Sequence, residues 1–263
     1  MKRNYLGIAG LLLSIFVTSC DKNAIQEIDA PLTSGAQIKF FNFGVSSPSV
    51  NFYANATKIS GTLSSTGSES INGVSYGSVF PSTNYNLIQG GSYTFKGQIS
   101  STATIDANFA VANLQANVEV GKFYSLYTSG IYNTTTKTTD AFIVEDKLPA
   151  VDNNSVYIRF VNTISNAPSA MNLVIKNTST NEEVVVATNI GYKGASEFVK
   201  VPSGLYEVYA RYPSSNINLI TRNGTSIVSF GFARVYTISS RGDMSIVSTT
   251  LTSKPFLDNT SNR

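Results

Sequence analysis

Few kinds of side chain in this sequence are equipped for chemistry. Its 263 residues contain no histidine, a single cysteine (Cys20), 16 acidic residues, 14 tyrosines and 15 phenylalanines. Without imidazole or a second thiol, His general bases, His or Cys metal sites and internal disulfides are excluded. Paired carboxylates can run hydrolysis unaided, but the acids are scattered. Asp140, Glu145, Asp146 and Asp152 form the one loose group, and no calcium-loop spacing accompanies them. Serines abound, yet a nucleophilic serine needs an activating base. Gly61, Gly67 and Gly73 lack the Lys and helix of a phosphate cradle. The expectation is therefore no catalytic residue, no metal and no cofactor.

The aromatic residues offer another chemistry, since a tyrosine joins a flat apolar face that can stack on a sugar ring to a hydrogen-bonding tip. Most aromatics at alternate strand positions serve packing. Tyr76, Tyr85, Tyr132 and Tyr192 lie in turn-rich segments and are the expected exposed exceptions, the candidate ligand contacts. Nucleic acid is excluded as a partner: the net charge is only +3, Lys2 and Arg3 fall in a segment expected to be removed, and no basic stripe remains for counterion release.

That segment has a basic start, an apolar run over residues 6–17, and the small residues Thr18 and Ser19 before Cys20. This is the pattern of a secretory signal, with a run too short to span a bilayer. Val17-Thr18-Ser19-Cys20 is similar to the lipobox of bacterial lipoproteins, which implies cleavage before Cys20 and a membrane anchor through acyl chains on it. The expected organisation is a signal peptide over 1–19 and a lipidated tether over 20–35. The Asn-, Ser- and Tyr-rich composition resembles Bacteroidota lipoproteins and places the protein in the cell envelope, at the outer membrane, with its face left open.

From residue 37 onward the pattern alternates with period two, the mark of strands with one buried and one wet face. In 92–99, Tyr93, Phe95, Gly97 and Ile99 oppose Ser92, Thr94, Lys96 and Gln98, and 206–212 repeats the scheme. Segments 50–54, 123–129, 156–161, 171–175, 235–240 and 244–251 read likewise. The fold class is all-β. Ile38-Lys39-Phe40-Phe41-Asn42 corresponds to Ile158-Arg159-Phe160-Val161-Asn162. Gly91-Ser92-Tyr93 corresponds to Gly204-Leu205-Tyr206, and Lys122-Phe123-Tyr124 to Arg234-Val235-Tyr236. Two tandem immunoglobulin-like β-sandwich domains are expected, over 36–149 and 155–252, with a flexible tail over 253–263.

Ile158-Arg159-Phe160-Val161, Ser165-Asn166-Ala167-Pro168 and Pro202-Ser203-Gly204-Leu205-Tyr206 resemble motifs of the domain-of-unknown-function family 4397 (DUF4397). The first copy, with Ser46-Ser47-Pro48 and Gly90-Gly91-Ser92-Tyr93, fits less tightly. The resemblance implies a secreted or lipid-anchored β-domain and carries no activity. The functional expectation is a cell-envelope lipoprotein acting as a non-catalytic binding or interaction module for a protein or glycan ligand. The alternatives are a structural spacer or assembly subunit and, weakest, a glycan-acting enzyme.

Overall fold

In a computed structural model, residues 34–61 and 73–263 are described. The predicted signal peptide, nearly all of the tether and Cys20 lie outside them. The strands of the first half are β1 (Ala36–Asn42), β2 (Asn51–Ala54), β3 (Thr57–Lys58), β4 (Ser78–Phe80), β5 (Asn86–Ile88), β6 (Gly91–Gln98), β7 (Ala110–Val118), β8 (Phe123–Asn133) and β9 (Thr138–Glu145). Those of the second are β10 (Val156–Asn162), β11 (Met171–Asn177), β12 (Glu183–Ile190), β13 (Val199–Val201), β14 (Gly204–Arg211), β15 (Asn218–Arg222), β16 (Val228–Phe230), β17 (Val235–Arg241) and β18 (Phe256–Ser261). The chain is all-β.

The strands form four sheets that pack as two sandwiches. In the first, sheet β4-β1-β8-β9, with β5 also on β1, faces sheet β3-β2-β6-β7. In the second, β13-β10-β17-β18 faces β12-β11-β14-β15, with β16 also on β14. Each sandwich encloses its own apolar core, one around Ile38, Phe40, Phe52 and Phe95, the other around Ile158, Phe160, Tyr206 and Phe230. The named strand pairs are antiparallel except β1 with β8 and β10 with β17. These two parallel pairs share a register: Ile38 lies opposite Tyr124 and Asn42 opposite Thr128, as Ile158 lies opposite Tyr236 and Asn162 opposite Ser240.

A buried amide closes each parallel pair. Asn42 Nδ2 donates to Val74 O at 2.8 Å while its Oδ1 accepts from Thr128 Oγ1 at 2.9 Å. Asn162 Nδ2 donates to Ile190 O at 3.1 Å, and its Oδ1 accepts from Ser240 Oγ at 2.9 Å. In this way a polar side chain at the strand end ties a neighbouring segment to the sheet, and both of these buried amides are paired. The Gly-x-Tyr segments act at the opposite end. Gly91 and Gly204 take φ values of 154° and 156°, closed to most side chains. Two residues on, Tyr93 OH and Tyr206 OH each donate to a backbone carbonyl four residues upstream, Gln89 O at 3.0 Å and Pro202 O at 2.9 Å.

Two expectations are corrected. Residues 244–251 form no strand: Asp243 Oδ1 accepts from the backbone N of Ser245 and from Asn166 Nδ2, winding the chain into a loop that leaves Val247 93% exposed. Nor is the end of the chain a flexible tail. β18 pairs with β17 from Tyr236↔Ser261 to Arg241↔Phe256, and Leu257 is fully buried. Turn chemistry at Asp243 displaces the strand, and the last residues supply the edge in its place.

Candidate functional site

β1 and β10 are buried on both faces, which is why Phe40-Phe41 and Phe160-Val161 read as continuous apolar runs. Their inward residues fill the two cores. Their outward residues meet each other, because sheet β4-β1-β8-β9 packs its outer face on sheet β13-β10-β17-β18. Phe41, Phe43, Tyr127, Phe142 and Val161 make an apolar cluster there. Tyr127 is stacked between Phe41 and Phe142, with ring centroids 4.2 and 5.0 Å away.

Beside this cluster the seam holds a buried polar ring. Arg159, on the outward face of β10, gives its Nε to Thr237 Oγ1 at 2.9 Å and an Nη to Asp146 Oδ1. Thr237 Oγ1 donates to Asn262 Oδ1 at 2.7 Å, and Asn262 Nδ2 donates to Tyr85 OH at 2.6 Å. Tyr85 OH donates in turn to Asp146 Oδ2 at 2.6 Å, which also accepts from Ser125 Oγ at 2.7 Å. Burial opposes the charge on Arg159, but Asp146 holds its pKa above the ordinary arginine value. Burial and the neighbouring Asp146 push the Tyr85 phenol well up, so both groups keep their protons.

Lys39 occupies on β1 the position that Arg159 occupies on β10. Its Nζ donates to Thr83 O at 2.7 Å and to Ser261 O at 2.5 Å, and lies 5.1 Å from the Tyr85 ring centroid. Burial brings its pKa down to about 8, partly countered by Asp146.

The four candidate tyrosines are half-buried rather than exposed. The sequence shows that they border turns but not that a second sheet covers three of those turns. Tyr85 belongs to the polar ring. Tyr192 OH donates to Asp140 Oδ2 at 2.8 Å and meets Ser129 Oγ at 2.9 Å, reaching from the second sandwich to the first. Gly130 makes room for it: a Cβ there would stand 2.7 Å from the Tyr192 hydroxyl. Tyr76 lies against Arg241, whose guanidinium is 5.0 Å from the ring centroid.

Tyr132 lines an open cleft, about 630 Å³ in volume, at one end of the first sandwich, and Tyr76 a smaller one of about 290 Å³ beside Arg241. The larger cleft is bounded by residues of the 46–49 turn and of the 99–106 loop. Asp106 at its rim is paired with Lys137 at 2.5 Å. Ser100 Oγ and Thr102 Oγ1 lie 3.0 Å apart.

The acids do not gather. Asp140 meets Lys193, Glu145 meets Lys122, Asp152 meets Lys200 and Asp146 meets Arg159. Among the described residues no three acids or thiols stand close enough to hold a metal ion. Gly73-Val74-Ser75-Tyr76-Gly77 matches the Gly-x-Ser-x-Gly elbow pattern, which sequence reasoning passed over. Ser75 there leads into a strand instead of a helix, and its Oγ meets Ser78 Oγ at 3.0 Å, so the activating geometry of an elbow is not formed. No described helix is long and apolar enough to cross a membrane.

Residues 36–171 match the model of a family described as "Domain of unknown function (DUF4397)". The match takes in the first sandwich, the linker and β10, whereas the motifs quoted from the sequence fit residues of the second sandwich more closely. No curated protein matches. Among solved structures, the Bacillus anthracis TIE protein is similar at 14% identity and a TM-score of 0.25, over 80% of this chain and 34% of that one. The chain thus spans about a third of that structure's length.

Proposed function

This chain belongs to the DUF4397 family, and from that premise we propose that it is a cell-envelope lipoprotein, held in the membrane through Cys20, that works as a non-catalytic binding or interaction module. The observation that carries the reading is the seam. Stacked aromatics and a closed polar ring tie two sandwiches, which we take to be tandem copies of one domain, into a single body. Loops mounted on such a body are held in place before a ligand arrives, which lowers the ordering cost of binding.

The test begins with intact cells, labelled by an impermeant reagent and compared with a Cys20→Ala variant. The anchored protein should fractionate with membranes and the variant should not. Labelling of the anchored protein places the module on the cell surface, where glycan and protein arrays should find its ligand. Equal fractionation of the two proteins would overturn the anchor, and arrays without a specific ligand would overturn the module.

A second reading, a spacer or assembly subunit, draws on β12. It ends its sheet with an unpaired edge, and Val185 on it is 54% exposed. An open edge can pair with another chain. A stoichiometric complex, recovered by crosslinking and lost on placing a proline in β12, would favour it.

A further inference from the structure

We infer that the cleft beside Tyr132 is a binding site for a neutral saccharide unit. The inference rests on the binding-module reading and gives that module a ligand class and a place.

The first ground is a difference between the two sandwiches. β8 has 11 residues against 7 in β17, although the two strands share a register along their parallel partners. The four extra residues, 130–133, lie in a break of the β8–β9 register after Ser129 and begin with a left-handed Gly130, φ 75°. They run on past the end of β1, with Ile131 bridged to Val45. The second sandwich folds without such an extension. In the first it delivers Tyr132, one side of which packs on the core while the residue also lines the cleft.

Chemistry supplies the second ground. Six of the eleven lining residues carry a hydroxyl, Ser46, Ser49, Ser100, Thr102, Thr104 and Tyr132, set in a wall that is mostly apolar. Among the described residues, Ser100 and Thr102 use theirs on each other, with Ser100 Oγ also accepting from the backbone N of Thr102, and the other four hydroxyls make no hydrogen bond. The one acid, Asp106, is neutralised by Lys137, so the site presents no net charge to a ligand. Ile99, Ala103 and the Tyr132 ring supply apolar surface beside the hydroxyls. A wall that mixes apolar faces with hydroxyls and lacks net charge suits a ligand of the same make-up: the C–H faces and many hydroxyls of an uncharged hexose ring. The volume falls within the roughly 300–1,000 Å³ usual for small-ligand sites.

The test uses the full chain and titrates three probe sets: neutral disaccharides, acidic oligosaccharides and unstructured peptides. A neutral disaccharide should bind, Tyr132→Ala should weaken it about tenfold or more, and Tyr132→Phe should weaken it several-fold less. Thr104→Arg, at an exposed loop position free of hydrogen bonds, should block the cleft without touching the core and so guards against misfolding of the first variant. Asp106→Asn should shift preference toward acidic oligosaccharides by freeing Lys137. Disaccharide binding that survives both Tyr132→Ala and Thr104→Arg would overturn the cleft and leave the module reading standing. Peptide binding lost in both variants would overturn the saccharide class, and no binding by any probe would overturn the proposal.

Discussion

The two sandwiches share a frame and differ at one end. The frame recurs at matching places: inward Ile and Phe on β1 and β10, a buried Asn closing each parallel pair, and a Gly-x-Tyr segment whose phenol reaches back to the backbone. The divergence lies in what joins the strands. β6 passes to β7 through residues 99–109, but β14 to β15 through only 212–217; β8 turns into β9 within 134–137, while β17 reaches β18 across 242–255. The parts that repeat bury apolar area or satisfy buried amides, and the parts that differ face solvent. A loop can therefore be rebuilt for a task while the frame beneath it stays put.

The seam shows the same contrast in one pair of residues. Lys39 and Arg159 hold equivalent outward positions, but the lysine meets two backbone carbonyls and the arginine a carboxylate. A compact ammonium suits scattered carbonyls; a planar guanidinium suits a carboxylate and a threonine hydroxyl side by side.

Changes to the seam and frame test how far the halves are equivalent. The largest effect is expected from ending the chain at Pro255. That strips β17 of its outer partner β18 and uncovers the core around Leu257, so hydrogen exchange should collapse through β10 and β17 while persisting in β2 and β6. Uniform loss would mean that the sandwiches fold as one unit, and unchanged protection would return the last residues to the status of a tail.

Asp146→Ala comes next. It leaves Arg159 buried without its counter-ion, a loss of about 3–5 kcal/mol in denaturant unfolding. Lys39→Met, which removes a buried charge held by two carbonyls and the Tyr85 ring with no carboxylate bonded to it, should be close to neutral or stabilising. Comparable losses in the two variants would erase the distinction between the two positions.

Asn42→Ala and Asn162→Ala should each cost about 1–3 kcal/mol by orphaning buried partners. Similar losses are expected, since both amides bind a hydroxyl across the parallel pair and a backbone carbonyl of a neighbouring segment; a tenfold disparity in unfolding constant would show that the shared geometry hides unequal roles.

Lys39 also gives the comparison a pH dependence. Lys39 has a pKa of about 8 when folded against about 10.4 when unfolded, so between these values the unfolded chain binds more protons. Stability contributed by this group should therefore rise with pH from about 8 to about 10.4, and the penalty for burying its charge should be constant below 8. Subtracting the unfolding profile of Lys39→Met from that of the parent isolates this slope, and a flat difference would count against it.

Much of the frame was legible in the residues. Alternation in 92–99 places Phe95 and Ile99 inward, as found, because a strand's side-chain period is a local property of the backbone. The paired Ile-x-Phe runs and Gly-x-Tyr segments were visible for the same reason. The site was less so: Tyr132 was named from its turn-rich surroundings, but those surroundings also drew attention to Tyr76, Tyr85 and Tyr192, which serve the seam. Loop chemistry such as that of Asp243 can cancel a strand that alternation predicts, and the final strand lacked a strong pattern because it fills an edge set by its neighbour.

The sequence by itself determined the all-β class, the inward faces of the main strands and the narrow chemical repertoire of the chain, since composition and period two are properties of the chain alone. Only the tertiary structure decided that Lys39 and Arg159 are buried, that Asp146 is a counter-ion instead of one member of an acidic group, and that three turn tyrosines are covered. Each of those outcomes depends on a surface contributed by residues far away in the chain, and no local pattern records the distance between them.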